Sequence, residues 1–302
     1  MTPNTAFVLL LGVAGLLAVA APRSIASLLS AGALGSKGDD LTVRCLVVPA
    51  SSDVPVHLLS YALLALLMLG AMIGGYVFLD NWRRTNRLVR RYLATPIDAR
   101  AFVDALARDA GLAGRIDVVA GDEPRCFCYG LVRPRVCVTT GLVDTLDAVE
   151  LEAVLRHEAF HVRNRDPLRL LLGKALTSTF FFVPTLRDLF AHYRLHIEVA
   201  ADRRAVREMG EPRSLAAALD KLLDAGVVEP AILPGVAHRG SLEMRIDNLL
   251  GEPVQPALAT RRPRLAISML ILALVIAPTL AQFLAVEHEL LALLASTPHA
   301  GC

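Results

Sequence analysis

Three runs of this sequence carry no charged side chain over the length of a membrane-spanning helix: Met1–Pro22, Val54–Leu79 and Leu265–Val286. A helix needs roughly 20 apolar residues to cross a hydrocarbon core, so each run is long enough. No other feature restricts the possible folds as much. The composition agrees: 54% of the 302 residues are hydrophobic and only 5% are aromatic, more apolar than an ordinary soluble domain of this size. The first run ends near an AVA sequence that resembles a signal-peptide cleavage site, but its leading MTPNT has no basic residue. It is therefore expected to remain as a span.

A fourth apolar stretch, Leu170 to Leu186, is interrupted by Lys174 and Pro184 and flanked by Arg169 and Arg187. Such residues are unfavourable in a lipid-facing helix, and the stretch is expected to be a buried or partly membrane-embedded helix rather than a span. Arginines sit at two membrane flanks. Arg83, Arg84, Arg87, Arg90 and Arg91 follow the second span, and RRPR, Arg261 to Arg264, precedes the last. Short basic flanks stay on the cytoplasmic side, which predicts an outward loop from Arg23 to Pro55 and a cytoplasmic segment between the second and last spans. Without interleaved aromatics, these arginines do not make a nucleic-acid surface.

The expected architecture is a multi-pass α-helical membrane protein with an α+β, mostly helical, cytoplasmic domain. Its parts are a two-helix hairpin over 1–80, the domain over 81–263, and a last span with a short external tail over 264–302. Cys126, Cys128 and Cys137 then lie inside, as small strand or core residues, whereas Cys45 and Cys302 lie outside and could form a disulfide. Within the domain, Ile97–Ala110 has helical spacing and stops at Gly111. RIDVVAG reads as a strand, and CFCYG and RVCVTTG flank LVRP as a strand–turn–strand unit. Helices are expected over Asp147–Val162, from Asp166–Pro167 onward, over Pro184–Met209 and over Ser214–Leu223, with a short one in SLEMRIDNLLGEP.

The chemistry centres on VLRHEAFHVRNRD. On a helix, His157 and His161 lie one turn apart on one face, where both imidazoles can bind a single tetrahedral zinc. Glu158 lies about 100° around the axis. From there it can reach an activated water as a general base without being a ligand. A catalytic zinc needs a third protein ligand and an open fourth position. Glu198, in HIEVAADRRAV, meets that need from a second helix, and Asp202 one turn later can orient a ligating histidine. Two alternatives stand beside this reading. Glu198 and Asp202 could be a solvated face paired with Arg203, Arg204 and Arg207, and His192 or His196, also one turn apart, could supply the third ligand. His192, Tyr193 and His196 are in addition candidate oxyanion donors.

The run from CFCYGLVRPRVCVTTGL through AVLRHEAFHVRNRDPLR, followed by EVAADRRAV, resembles the integral-membrane gluzincin peptidases. These comprise the BlaR/MecR-type antirepressor metallopeptidases and their relatives, the HtpX heat-shock and CAAX prenyl proteases. The similarity covers about Ala120 to Met209, with a weaker echo in EMRIDNLL. It implies zinc ligands His157, His161 and Glu198, general base Glu158, and Asp202 as support for a ligating histidine. It also implies that GLVRPRVCVTTGL is an edge strand beside the site, able to pair with an extended peptide. The penicillin-binding sensor of the BlaR/MecR branch is not expected, because the sequence ends shortly after Val286. The expected function is zinc-dependent endoproteolysis at the cytoplasmic face of the plasma membrane. The substrate would be a protein or peptide, for example a transcriptional repressor or a damaged membrane protein. The alternative is a non-catalytic zinc-binding membrane sensor or scaffold, which would have no use for Glu158.

Overall fold

The structure, a computed structural model, describes residues 3–34, 53–94, 97, 101–225, 245–246, 248–251 and 262–277. Its contacts divide the chain into two compact units. One comprises Met1–Val8, Gly74–Ser178 and Asp188–Ala259; the other comprises Leu9–Ile73, Thr179–Arg187 and Thr260–Cys302.

Helix α1 runs Pro3–Leu34 and α2 runs Asp53–Tyr92. The second unit takes in α1 from Leu9 onward and α2 up to Ile73, both apolar. Within α1, Leu10, Ala14 and Leu17 form a buried stripe at helical spacing, while Val8, Leu9, Leu11, Leu16 and Val19 are exposed. A helix that is apolar on its exposed side as well as its buried side suits lipid rather than water. Helix α2 has 40 residues, roughly 60 Å at 1.5 Å per residue, about twice the thickness of a hydrocarbon core. It continues unbroken through the arginine-rich flank. Gly70 allows it to pack closely, because a Cβ there would stand 2.2 Å from the Thr179 carbonyl oxygen. Residues 262–277 are also helical. Ser268 Oγ accepts the backbone N–H of Thr185 at 3.1 Å, satisfying one of the orphan donors of a helix start. Two helices, at Asn4–Pro22 and Tyr61–Tyr92, are long and apolar enough to cross a membrane. The remainder of the run to Val286, and both Cys45 and Cys302, lie outside the described residues.

The Leu170–Leu186 stretch is not one helix. Helix α6 ends at Thr179, having begun at Asp166, and α7 starts at Pro184 and runs to Met209. The turn between them holds Phe180–Val183. With 14 residues, α6 is about 21 Å long, too short to span, and Pro184 suits a first helical turn because it lacks the N–H that an interior position must donate.

The first unit holds a three-stranded sheet. Strands β1 (Ile116–Val119), β2 (Cys126–Tyr129) and β3 (Arg135–Thr139) are ordered β1-β3-β2. β2 and β3 form the expected antiparallel hairpin, Cys126 opposite Val138 and Tyr129 opposite Arg135. Gly130 makes the exit from β2 possible: its φ is +86°, and a Cβ would lie 2.8 Å from the Arg133 carbonyl oxygen. β1 pairs in parallel with the other side of β3. β3, from the stretch expected to supply the edge strand, is thus central, and β2 is an edge.

Alternation along the strands separates two cores. Val118, Cys128, Val136 and Val138 join the main core with helices α3 (Ala101–Asp109), α4 (Thr140–Thr145), α5 (Ala148–Asn164) and α8 (Arg213–Asp224). Val119, Phe127 and Cys137 pack against Val89 and Tyr92 of α2. Cys128 and Cys137 therefore lie on opposite faces, and the three thiols form no common metal site. Helices α6 and α7 meet closely where Gly173 faces the Phe190 ring, 2.3 Å from where a Cβ would be.

One polar ladder crosses all three strands. Asp117 accepts from Arg135 Nε at 2.6 Å and Nη2 at 2.7 Å, and from the Tyr129 hydroxyl. Burial pushes the Asp117 carboxyl up, but Arg135 and Tyr129 outweigh it and hold it below its ordinary value. A depressed carboxyl contributes stability above its unfolded pKa of about 3.9, and loses it as pH falls through the folded value. Asp117→Asn is accordingly expected to lower the thermal midpoint at pH 7, with the gap to wild type closing below about pH 4. A gap that stayed constant across that range would remove the carboxylate from the explanation.

Candidate metal centre

Helix α5 carries the motif and is firmly started. Asp147 accepts from the backbone N–H groups of Val149 and Glu150 at 2.9 and 2.8 Å, and the Glu150 carboxylate accepts from Asp147 N at 2.9 Å. This is a reciprocal capping box. At its other end Arg165 adopts the left-handed conformation, φ 54°, uncommon for a residue with a Cβ. The chain reverses there, and α6 begins immediately with Asp166 beneath His161.

Helix α7 is drawn to α5 by Glu208. That carboxylate receives Arg156 of α5 at 3.2 Å, Arg163 of α5 at 3.5 Å and Arg204 of its own helix at 2.7 Å. Ala201 and Ala205, both fully buried, present no bulk along α7. Arg204, one of the alternative partners considered for Glu198 and Asp202, is thus engaged elsewhere. Glu198 and Asp202 instead face the histidines.

There His157 Nε2 and His161 Nε2 lie 3.1 Å apart. Glu198 completes the group, with Oε2 3.6 Å from His157 Nε2 and Oε1 3.7 Å from His161 Nε2. Each outer nitrogen is held from behind. His157 Nδ1 meets Asp202 at 2.8 Å, and His161 Nδ1 meets Asp166 at 2.8 Å. A carboxylate can only accept, so each Nδ1 carries the hydrogen and each Nε2 is turned inward, where the neutral ring can serve as a metal ligand. Two imidazole nitrogens and a carboxylate thus converge, a donor set that can hold a metal ion.

The dimensions fit zinc. Ligands about 2.1 Å from a tetrahedral centre lie roughly 3.4 Å from one another; each histidine Nε2 has one Glu198 oxygen near that distance, and one ligand atom from each of the three residues lies within 4.8 Å of the others. Among the described residues, His157, His161 and Glu198 form the one group of three or more such side chains close enough to hold a metal. The electrostatics agree. Burial presses the His161 imidazolium down, yet Glu198, Asp166 and Glu158 outweigh it and push its pKa up to about 10. Burial presses Glu198 up, yet the His161 charge, His157 and Arg245 hold it well below the usual carboxylate range. The carboxylates around the histidines make the pocket electronegative, which also favours a bound cation.

Glu158 lies half-buried on α5. Burial first and then the Glu158 charge raise the Cys126 and Cys128 thiols well above their ordinary values. The carboxylate therefore acts on β2 as well as on His161, and the cysteines stay neutral core residues. Three candidate oxyanion donors are placed less favourably. At 100° per residue, His192, Tyr193 and His196 lie roughly 120–160° around α7 from Glu198. His192 and His196 pack edge-to-face on each other, centroids 4.1 Å apart. Tyr193 is fully buried against Phe7, and burial followed by the Asp166 charge raises its phenol.

Two groups at the site are not assigned by sequence. Asp166 reads there only as a helix start, since the left-handed turn that folds it under His161 has no glycine to announce it. Arg245 reads only as part of a short helix, yet it donates to Asp202 through Nε at 2.8 Å and Nη2 at 2.6 Å. An apolar groove of about 510 Å³ is lined by Phe78 and Trp82 of α2, Tyr129 of β2, Val132 of the hairpin loop, and Pro167 and Leu171 of α6, among others; Pro167 follows Asp166 directly in the chain.

A small sheet packed on an H-E-x-x-H helix, with a glutamate completing the triad from a later helix, is the framework of a metallopeptidase. The chain belongs to the family described as BlaR1 peptidase M56, whose model matches residues 47–249. It is also similar to proteins named Protease HtpX homolog. The one from Acidiphilium cryptum is 29% identical over 194 residues, covering 61% of this chain and 64% of that protein. The one from Methanothermobacter thermautotrophicus is 34% identical over 149 residues, covering 41% and 58%. The one from Janthinobacterium sp. is 30% identical over 178 residues, covering 46% and 60%. The matches thus span about three fifths of the length of these relatives.

Removing Glu198 or the carboxylate behind His161 tests the centre. Glu198→Ala and Asp166→Asn are each expected to weaken zinc binding by at least about 10- to 100-fold, measured by competition with a chromophoric chelator. Wild-type affinity in both variants would show that the metal, if bound, is held elsewhere.

Proposed function

We propose that this protein is a membrane-embedded zinc endopeptidase that cleaves protein substrates at the cytoplasmic membrane face. The observation that carries the reading is the convergence of His157 Nε2, His161 Nε2 and Glu198, each histidine held by a buried carboxylate, with a glutamate directly after the first histidine. The relatives named as proteases support the hydrolytic reading. The long apolar helices, and the arginines that follow the second of them, support a bilayer location with the catalytic side inward.

His157, His161 and Glu198 would hold the metal. When bound, zinc supplies the Lewis acidity that makes water a nucleophile near neutral pH. Glu158 takes the proton from that water as its oxygen attacks the scissile carbonyl carbon, and passes it to the amide nitrogen as the C–N bond breaks. Asp202 and Asp166 keep each Nε2 directed at the metal throughout. An extended substrate would pair with the edge of β2, which has no partner strand among the described residues. An apolar side chain of that substrate would enter the groove beside Val132 and Trp82. Repressor cleavage and removal of membrane proteins are the two roles such a site would serve.

Glu158→Gln is expected to keep one zinc per chain while lowering kcat by roughly 10²–10⁴-fold on a fluorogenic peptide. Zinc binding without chelator-sensitive turnover in the wild type would favour a sensor or scaffold instead. For the groove, Val132 is 71% exposed, so Val132→Asp leaves the fold intact. It should raise KM for peptides with a large apolar residue near the cleaved bond and spare kcat. An unchanged KM would separate the groove from substrate selection.

A further inference from the structure

We propose that Arg245 is the positioning residue of this centre: its guanidinium fork sets the orientation of Asp202 and Glu198, and through Asp202 the orientation of His157. The proposal rests on the zinc-peptidase reading and adds a component to it.

Arg245 reaches the site from outside the elements that carry the other groups. Its Nε and Nη2 clasp both oxygens of Asp202, and Nη1 lies 3.4 Å from Glu198 Oε2. Nη2 is also 3.3 Å from His157 Nδ1 and 3.4 Å from His157 Nε2. An in-plane approach to both ring nitrogens is blocked by the carbon between them. The guanidinium therefore lies against the ring face rather than at its edge. One planar cation thus touches three groups of the centre.

Two carboxylates one helical turn apart repel each other, and here Asp202 is buried and Glu198 half-buried. Without a cation between them, Asp202 could turn away from His157, and His157 would lose the acceptor that fixes its tautomer. A guanidinium supplies two parallel donors and a third nitrogen in one rigid plane, whereas an ammonium offers a point charge. Only 6% of Arg245 is exposed, so solvent does not compete for these donors. Its backbone is held independently: residues 245–246 and 248–250 are helical, and Ile246 and Leu249 pack on the main core. The chain anchors the fork before the fork orients the site.

Arg245→Lys keeps the charge and removes the fork, which isolates orientation from electrostatics. Zinc content, the visible spectrum of the cobalt-substituted protein, metal loss to a chelator and steady-state kinetics would be compared for wild type, Arg245→Lys, Asp202→Asn and the double variant. Arg245→Lys should still bind one metal, show shifted cobalt bands, lose metal roughly 10- to 100-fold faster, and lower kcat with KM near wild type. The double variant should be no worse than Asp202→Asn alone, because one residue acts largely through the other. A wild-type spectrum and rate in Arg245→Lys, or fully additive effects in the double variant, would overturn the assignment. If wild type itself bound no zinc and cleaved nothing, the zinc-peptidase reading would fail instead, a separate and recognisable result.

Discussion

The arrangement of the first unit depends on two imidazoles turned toward each other by carboxylates behind them. Each Nδ1–H is committed to a buried acceptor 2.8 Å away, so each Nε2 faces inward. The surrounding carboxylates make the space between them receptive to a cation. Asp166, Asp202, Glu158 and Glu198 outweigh the desolvation that would otherwise suppress positive charge at His161 and His157. The same carboxylates are themselves tolerable in the interior because cations face them.

Much of the remaining architecture can be read as support for that geometry. The capping box starts α5, the left-handed Arg165 ends it, and the reversal delivers Asp166 to the back of His161. The three arginines on Glu208 hold α7 beside α5, and alanines at 201 and 205 let the two approach. The sheet contributes a packed floor on one side of α5, with β2 at an edge that has no partner strand among the described residues.

Helix α2 serves both units. Its first half is apolar enough to lie in a bilayer, and its last turns cover the sheet face through Val89 and Tyr92.

The sequence by itself determined what depends on short-range regularity. Uncharged runs disclosed the apolar helices, because lipid compatibility is a local property of composition. The one-turn spacing of His157 and His161, and of Glu198 and Asp202, placed each pair on a single helix face, because helical geometry repeats every 3.6 residues. The β2–β3 hairpin was legible from its alternating residues and glycine turn. Tertiary structure alone decided which partners these faces met. It broke the Leu170–Leu186 stretch into two helices and made β3 central by adding β1 in parallel. It also brought Asp166 and Arg245 to the histidines, one through a left-handed turn without glycine and the other from beyond α8. The physical reason is that backbone periodicity sets where a side chain points on its own helix. Which charge it finds there depends on packing between segments distant in the chain.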